Sequence, residues 1–300
     1  MPKPSQRKLQ ICNGGMSSVG LSWVVRIDRL YHIRYIADIV YGIRPKLATV
    51  ISFGNQKGGS AKTTSAINIG ASLACEGRRT LICDLDPQGS CSLGLGVDAY
   101  QLPATMYEVL CKEFQADAAI VRTSIDNLAL LPSNISLSAA EFELISAIRR
   151  EEIFKQRIEP IAGDFEFVVC DLPPSLGILT INGLAASEQL VVPVECEFYA
   201  MAGIKTMLQL RDLVSNRLGH TMETKFLLTK YDSRTKLSAE VEEMVRKNFG
   251  EAVFTTLIPR AIRVAEAPSH GRPVIQYAPG SKAAVAYRKL VREEILRIVG

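Results

Sequence analysis

Thr49-Val50-Ile51-Ser52-Phe53-Gly54-Asn55-Gln56-Lys57-Gly58-Gly59-Ser60-Ala61-Lys62-Thr63-Thr64 is a short apolar run that breaks into small and polar residues and then enters an amphipathic stretch, 63–76. A β-prone run, a small-residue turn and a helix in that order surround an anion with backbone N–H groups and the positive end of the helix. Lys62 adds a mobile cation, and the Thr63 hydroxyl is placed to reach magnesium. An ordinary glycine-rich strand-to-helix turn would share the glycine pair but not the Lys-Thr pair between that strand and that helix. The plain G-x-x-x-x-G-K-[ST] pattern is not met, because Gln56 and Ala61 occupy its two glycine positions. If position 61 requires a positive φ, alanine there costs on the order of 1–2 kcal/mol.

Outward from this stretch, short apolar runs alternate with longer amphipathic ones, as in a parallel sheet with helical crossovers. Strands are expected at 49–53, 80–84, 128–131, 167–171, 190–194, 225–229 and 253–257. Helices are expected at 63–76, 137–157, 178–186, 204–218, 238–249 and 282–299. Right-handed crossovers with helices on both faces give an α/β fold, a doubly wound and mostly parallel sheet whose ligand sits beyond the carboxyl ends of the strands. One domain over 47–300 suffices.

The 300 residues are 47% hydrophobic and 7% aromatic, enough to bury one substantial core. Apolar runs such as Leu190-Val191-Val192-Pro193-Val194 fall far short of the roughly 20 residues that cross a bilayer, so no membrane span is expected. Seven cysteines at irregular spacing, with no CxxC pair, fit neither a disulfide framework nor a zinc site. Cys83 and Cys170 lie inside strand-like runs and read as core thiols of a reducing compartment. The formal charge is +4, but the last hundred residues hold 17 Lys or Arg against 10 Asp or Glu, a local excess that permits a polyanionic partner.

Residues 1–46 form a basic amino-terminal appendage in which Lys3, Arg7, Lys8 and Arg26 precede the first acid, Asp28. It reads as a transit peptide, a short accessory helix, or the product of a start assigned too early, with Met16 an alternative start.

At this point the motifs carry a family resemblance. Lys57-Gly58-Gly59 with Lys62-Thr63-Thr64 resembles the deviant Walker A motif of the ParA/Soj-type partition ATPases, relatives of MinD. Cys83-Asp84-Leu85-Asp86-Pro87-Gln88-Gly89 resembles their second motif, and Val168-Val169-Cys170-Asp171-Leu172-Pro173-Pro174-Ser175 their Walker B segment. The stretches 192–200 and 258–271 match as well, so the resemblance spans about 48–300. It implies an ATPase that uses ATP and Mg²⁺, with nucleotide held by Lys57, Gly58, Gly59, Ser60, Ala61, Lys62, Thr63 and Thr64. Lys62 is expected on the β- and γ-phosphates, Asp86 to orient water, and Thr63, Asp84 and Asp171 near the metal, partly through water; helix capping is the plain alternative for Asp84 and Asp86. Lys57 is expected to act across an ATP-bound homodimer on the partner's nucleotide. The family's glycine before the second lysine is alanine here, which bears on the hydrolysis rate.

Arg234 and Arg263 match positions that contact DNA in that family, with Lys230 and Lys236 near the first. They imply non-specific phosphate contacts, a ParB-like activating protein, and a cytoplasmic, nucleoid-associated location. The main alternative is a MinD-like membrane cycler, which needs a terminal amphipathic helix. Val285, Leu290, Ile295 and Leu296 read instead as core positions of a final packing helix, and no basic, aromatic tail follows Gly300. An amphipathic membrane segment within 23–40 stays open. An iron–sulfur reductase on the same scaffold lacks paired thiolates. Kinases and amide-forming synthetases lack a recognisable acceptor motif.

Overall fold

The computed structural model describes residues 48–197 and 200–299. The appendage 1–46 and the membrane segment considered within 23–40 lie outside the described residues. Seven strands, β1 (Thr49–Phe53), β2 (Thr80–Asp84), β3 (Val121–Arg122), β4 (Leu128–Leu131), β5 (Phe167–Asp171), β6 (Gln189–Glu195) and β7 (Glu223–Thr229), pair in the order β3-β4-β2-β5-β1-β6-β7. Every pairing is parallel except the short β3 edge on β4. The longer helices are α1 (Lys62–Cys75), α2 (Ile153–Ala162), α3 (Ile178–Ala186), α4 (Ala200–Leu218), α5 (Lys236–Phe249) and α6 (Lys282–Leu290).

The period-two alternation of the strands feeds two cores, one on each face of the sheet. Ile51, Phe53, Ile82 and Val169 pack with Ile69 and Leu73 of α1 and Tyr287 and Leu290 of α6. Val50, Leu81, Val168 and Val192 pack on the other side with Phe154, Leu184, Ile204 and Val241 of α2, α3, α4 and α5. Cys83 and Cys170 are fully buried in the second core, as their strand-like surroundings lead one to expect. Central β1 thereby sends its loop out between β5 and β6, with Asp171 ending the adjacent strand and Asp84 the next.

Three expected elements differ. The helix expected over 137–157 is broken: Ala147 is extended and Arg149 is left-handed, with φ 53°. α2 then starts afresh where the Phe154 N–H donates to Asn182 Oδ1 at 2.9 Å. The strand expected over 253–257 forms no ladder, only an isolated bridge from Val253 to Phe226. The N–H groups of Thr255 and Thr256 donate to the Glu294 carboxylate at 2.7 and 2.9 Å, so they are withdrawn from strand pairing. Glu294 belongs to a π-helical turn, Val291–Ile295, that interrupts the final helix expected over 282–299. Along that helix Leu290 and Ile295 are core and Leu296 packs at its border, but Val285 is half-exposed.

Candidate nucleotide site

The loop after β1 is fixed before any ligand arrives. Asn55 Nδ2 donates to the Pro193 carbonyl at 2.7 Å, and Asn55 Oδ1 accepts from the Lys57 N–H at 3.0 Å, which fastens the loop to β6. Gly59 and Ala61 are both left-handed, with φ 75° and 70°. Glycine takes this region freely, whereas Ala61 carries the strain that its Cβ imposes. No side chain caps α1 and no acid lies in its first turn, so its leading N–H groups and positive end remain available to an anion. A methyl group added at Gly58 or Gly59 would meet nothing within 4 Å, so the backbone there faces open space.

The charged groups converge behind this loop. Lys62 is buried, and its Nζ donates to the Lys57 carbonyl at 3.3 Å. Burial lowers the Lys62 pKa, against the opposing pull of Asp171 and Asp86. Asp171 is fully buried and neither oxygen has a hydrogen-bond partner of good geometry among the described residues. Burial first, then the charge of Asp84, pushes its pKa well above the usual carboxylate value, with Thr63 and Lys62 pulling the other way. The carboxylate oxygens and the threonine hydroxyl are oxygen donors that suit Mg²⁺, and the lysine is a cation that suits phosphate.

Asp84 is differently employed. Oδ2 accepts from the Ser92 N–H at 2.9 Å and hydroxyl at 2.7 Å, while Oδ1 accepts from the Asp86 N–H at 3.2 Å. Its pKa rises to about 7 because burial outweighs those bonds. Through these bonds Asp84 holds the turn that carries Asp86. Asp86 caps the Gln88 N–H at 2.9 Å through Oδ1 and lines the same cavity as Lys62.

That cavity, about 760 Å³, runs from Gly58 and Lys62 past Asp86 to Pro259, Arg260 and Val274. Ser60, Thr63 and Thr64 belong to the same loop and helix start; the Ser60 carbonyl accepts from Thr229 Oγ1 at 3.3 Å. Lys57 points elsewhere: its ammonium is 2.8 Å from Glu197 and 3.4 Å from Glu195.

A parallel bridge from Tyr231 to Pro259 brings the two arginine-bearing segments to one edge, with Arg260 N–H to Tyr231 carbonyl at 2.9 Å. Arg234 and Arg263 are exposed there, but each is paired, with Asp232 at 2.7 Å and with Glu266 at 2.8 Å. Lys236 opens α5 and is exposed, and Lys230 pairs with Glu195 at 2.7 Å. Sequence reasoning gave no role to Asn55, Ser92, Asp232, Glu195 or Glu197. The last two were legible as carboxylates two apart at the end of an apolar run.

Comparison with known proteins agrees with this geometry. A family model described as an AAA domain matches residues 48–224. The sporulation initiation inhibitor protein Soj of Bacillus subtilis is 41% identical over 248 residues, 82% of this chain and 98% of that protein. The chromosome partitioning protein ParA of Caulobacter vibrioides is 41% identical over 251 residues, 83% of this chain and 94% of its own. A solved structure of cobyrinic acid a,c-diamide synthase from Mycobacterium smegmatis, with bound ADP and magnesium, is 38% identical. It superposes with a TM-score of 0.74 over 84% of this chain and 95% of that one. On sequence, fold and phosphate loop together, the chain belongs to the Soj/ParA family of chromosome-partitioning ATPases.

Proposed function

We propose that residues 47–300 form a Mg²⁺-dependent ATPase domain whose ATP-bound form is a homodimer that holds DNA without reading its sequence. The observation that carries this reading is the convergence of Lys62, Thr63 and the orphaned Asp171 carboxylate behind a loop that is open at Gly58 and Gly59. The loop N–H groups and Lys62 bind the phosphates, exchanging the Lys57 carbonyl for a stronger anion. Thr63, with Asp84 and Asp171 partly through water, would hold Mg²⁺, which would supply positive charge against the phosphates. Asp86 orients water, in a turn kept in place by Asp84. Lys57 completes the partner's site, so that pairing reports nucleotide state. Arg234, Arg263, Lys230 and Lys236 face DNA phosphates from one edge of each subunit.

A ParB-like protein stimulates a slow basal hydrolysis and releases the dimer, at the nucleoid in the cytoplasm. Residues 1–46 stand apart from this cycle as an appendage. No helix among the described residues is long and apolar enough to cross a membrane. The test is co-sedimentation of the full chain with DNA, and in parallel with anionic vesicles, in ATP, ADP or no nucleotide at two salt concentrations. ATP-dependent, salt-sensitive retention on DNA is expected; retention on vesicles alone replaces this reading with membrane cycling.

A further inference from the structure

Glu195 ends β6 with its side chain 8% exposed and offers one oxygen to each of two lysines. Oε2 lies 3.4 Å from Lys57 Nζ, and Oε1 lies 2.7 Å from Lys230 Nζ. Glu197, more exposed, takes the same Lys57 ammonium at 2.8 Å. The two lysines come from distant parts of the chain, one from the phosphate loop and one from the residue after β7, which has a left-handed φ of 51°. Asn55 aims the first of them, because it bonds both the Lys57 N–H and the Pro193 carbonyl of β6. Partial burial works against the Lys57 charge, but Glu197 and Glu195 outweigh it and hold the ammonium above its ordinary pKa.

We infer that Glu195 is a positioning residue that, with Glu197, holds Lys57 within its own subunit, and that its second oxygen withholds Lys230 from the DNA-facing edge. This rests on the proposed roles of Lys57 across the dimer and of Lys230 beside DNA. An ammonium on a partner's phosphates cannot also stay at 2.8 Å from Glu197. The two carboxylates therefore oppose pairing until the partner's nucleotide supplies a denser negative charge. Glu195 is nearly buried, so its hold is less screened by water and salt than that of Glu197. One residue thus contacts both the dimer lysine and a DNA lysine, whereas its neighbour contacts only the first among the described residues and acts on Lys230 from a distance.

The test uses the full chain with a non-hydrolysable ATP analogue and Mg²⁺, and follows dimer formation against protein concentration by light scattering. Wild type is compared with Glu195→Gln, Glu197→Gln and Lys57→Ala. Both glutamine variants are expected to dimerise at a half-maximal concentration lower by about three- to tenfold, since each removes one of the two carboxylates that hold Lys57 in each subunit. Glu195→Gln alone is expected to keep DNA to higher salt. Unchanged dimerisation in both glutamine variants, while Lys57→Ala loses the dimer, overturns the inference and leaves the trans role of Lys57 standing. Wild-type dimerisation by Lys57→Ala overturns both. Should Glu195→Gln not fold, Glu197→Gln on the exposed side carries the test, together with a double-mutant cycle against Lys57.

Discussion

Asp84 and Asp171 stand in register on the adjacent strands β2 and β5, and both carboxyls are wholly buried. Asp84 is hydrogen-bonded through Ser92 and the Asp86 N–H, whereas Asp171 has only the Thr63 hydroxyl beside it among the described residues, without a hydrogen bond of good geometry. Two like charges so placed cannot both ionise cheaply. The pair therefore favours a state in which at least one carboxyl keeps its proton.

The metal-free chain should accordingly lose stability as pH rises. Asp84 has its folded pKa raised to about 7, and Asp171 is raised as well. A carboxyl with a raised folded pKa contributes stability that is fully present below its unfolded value, about 3.9, and is lost as pH rises through the folded one. Denaturant titrations without metal or nucleotide should show a fall on the order of 2–4 kcal/mol between about pH 4 and pH 7.5. Asp171→Asn, which breaks no direct hydrogen bond among the described residues, should flatten that slope and remove the protection given by Mg²⁺ and nucleotide. A wild-type stability that does not fall with pH over that range would mean that neither carboxyl is strained, and a slope unchanged in Asp171→Asn would mean that Asp171 is not.

Ala61 supplies a second prediction, since it holds φ 70° at the residue before α1. Glycine there relieves about 1–2 kcal/mol of strain but gives back about 0.4–1 kcal/mol through the looser unfolded chain. Ala61→Gly should be neutral or up to about 1.6 kcal/mol more stable, and Ala61→Val should be destabilising. Chemical denaturation measures both. Hydrolysis by Ala61→Gly, assayed beside it, reports whether the strain limits the rate.

Lys62→Ala should abolish nucleotide binding in a calorimetric titration yet leave the fold intact. The buried Lys62 ammonium makes one hydrogen bond, to the Lys57 carbonyl, and burial already disfavours its charge. Asp86→Ala should keep nucleotide binding and instead prolong the ATP-bound dimer on DNA, because among the described residues the Asp86 carboxylate accepts a hydrogen bond only from within its own turn. Loss of nucleotide binding in Asp86→Ala would move that residue from water orientation to ligand binding.

Much of this site was legible because its residues are local. β1, β2, β4 and β5 occupy the expected residues, and the motif at 54–64 lies between a strand and a helix as expected. Elements that failed were those decided by distant partners. Nothing within 253–257 announces that Glu294 will take two of its N–H groups, and nothing within 137–157 announces that Asn182 will restart the helix at Phe154. The role of Asp84 was hidden for the same reason, since Ser92 lies eight residues on and is recognisable as its partner only once the turn is folded. β3 escaped because two residues carry no periodicity.

At the edge proposed to face DNA, Arg234 gives Nε and Nη2 to the two oxygens of Asp232, at 2.9 and 2.7 Å, and the pair is bidentate. Arg234 holds the Asp232 carboxyl well below its usual pKa, so the pair stays ionised at any working pH. A DNA phosphate must therefore compete with Asp232 for the guanidinium. Asp232→Asn should strengthen ATP-dependent DNA retention by about two- to fivefold at low salt, because it removes the competing charge and leaves the arginine. Arg234→Glu should abolish retention without altering nucleotide binding. Retention that is unmoved by Asp232→Asn and by charge reversal at Arg234 and Arg263 together would place the DNA-binding surface elsewhere on the subunit.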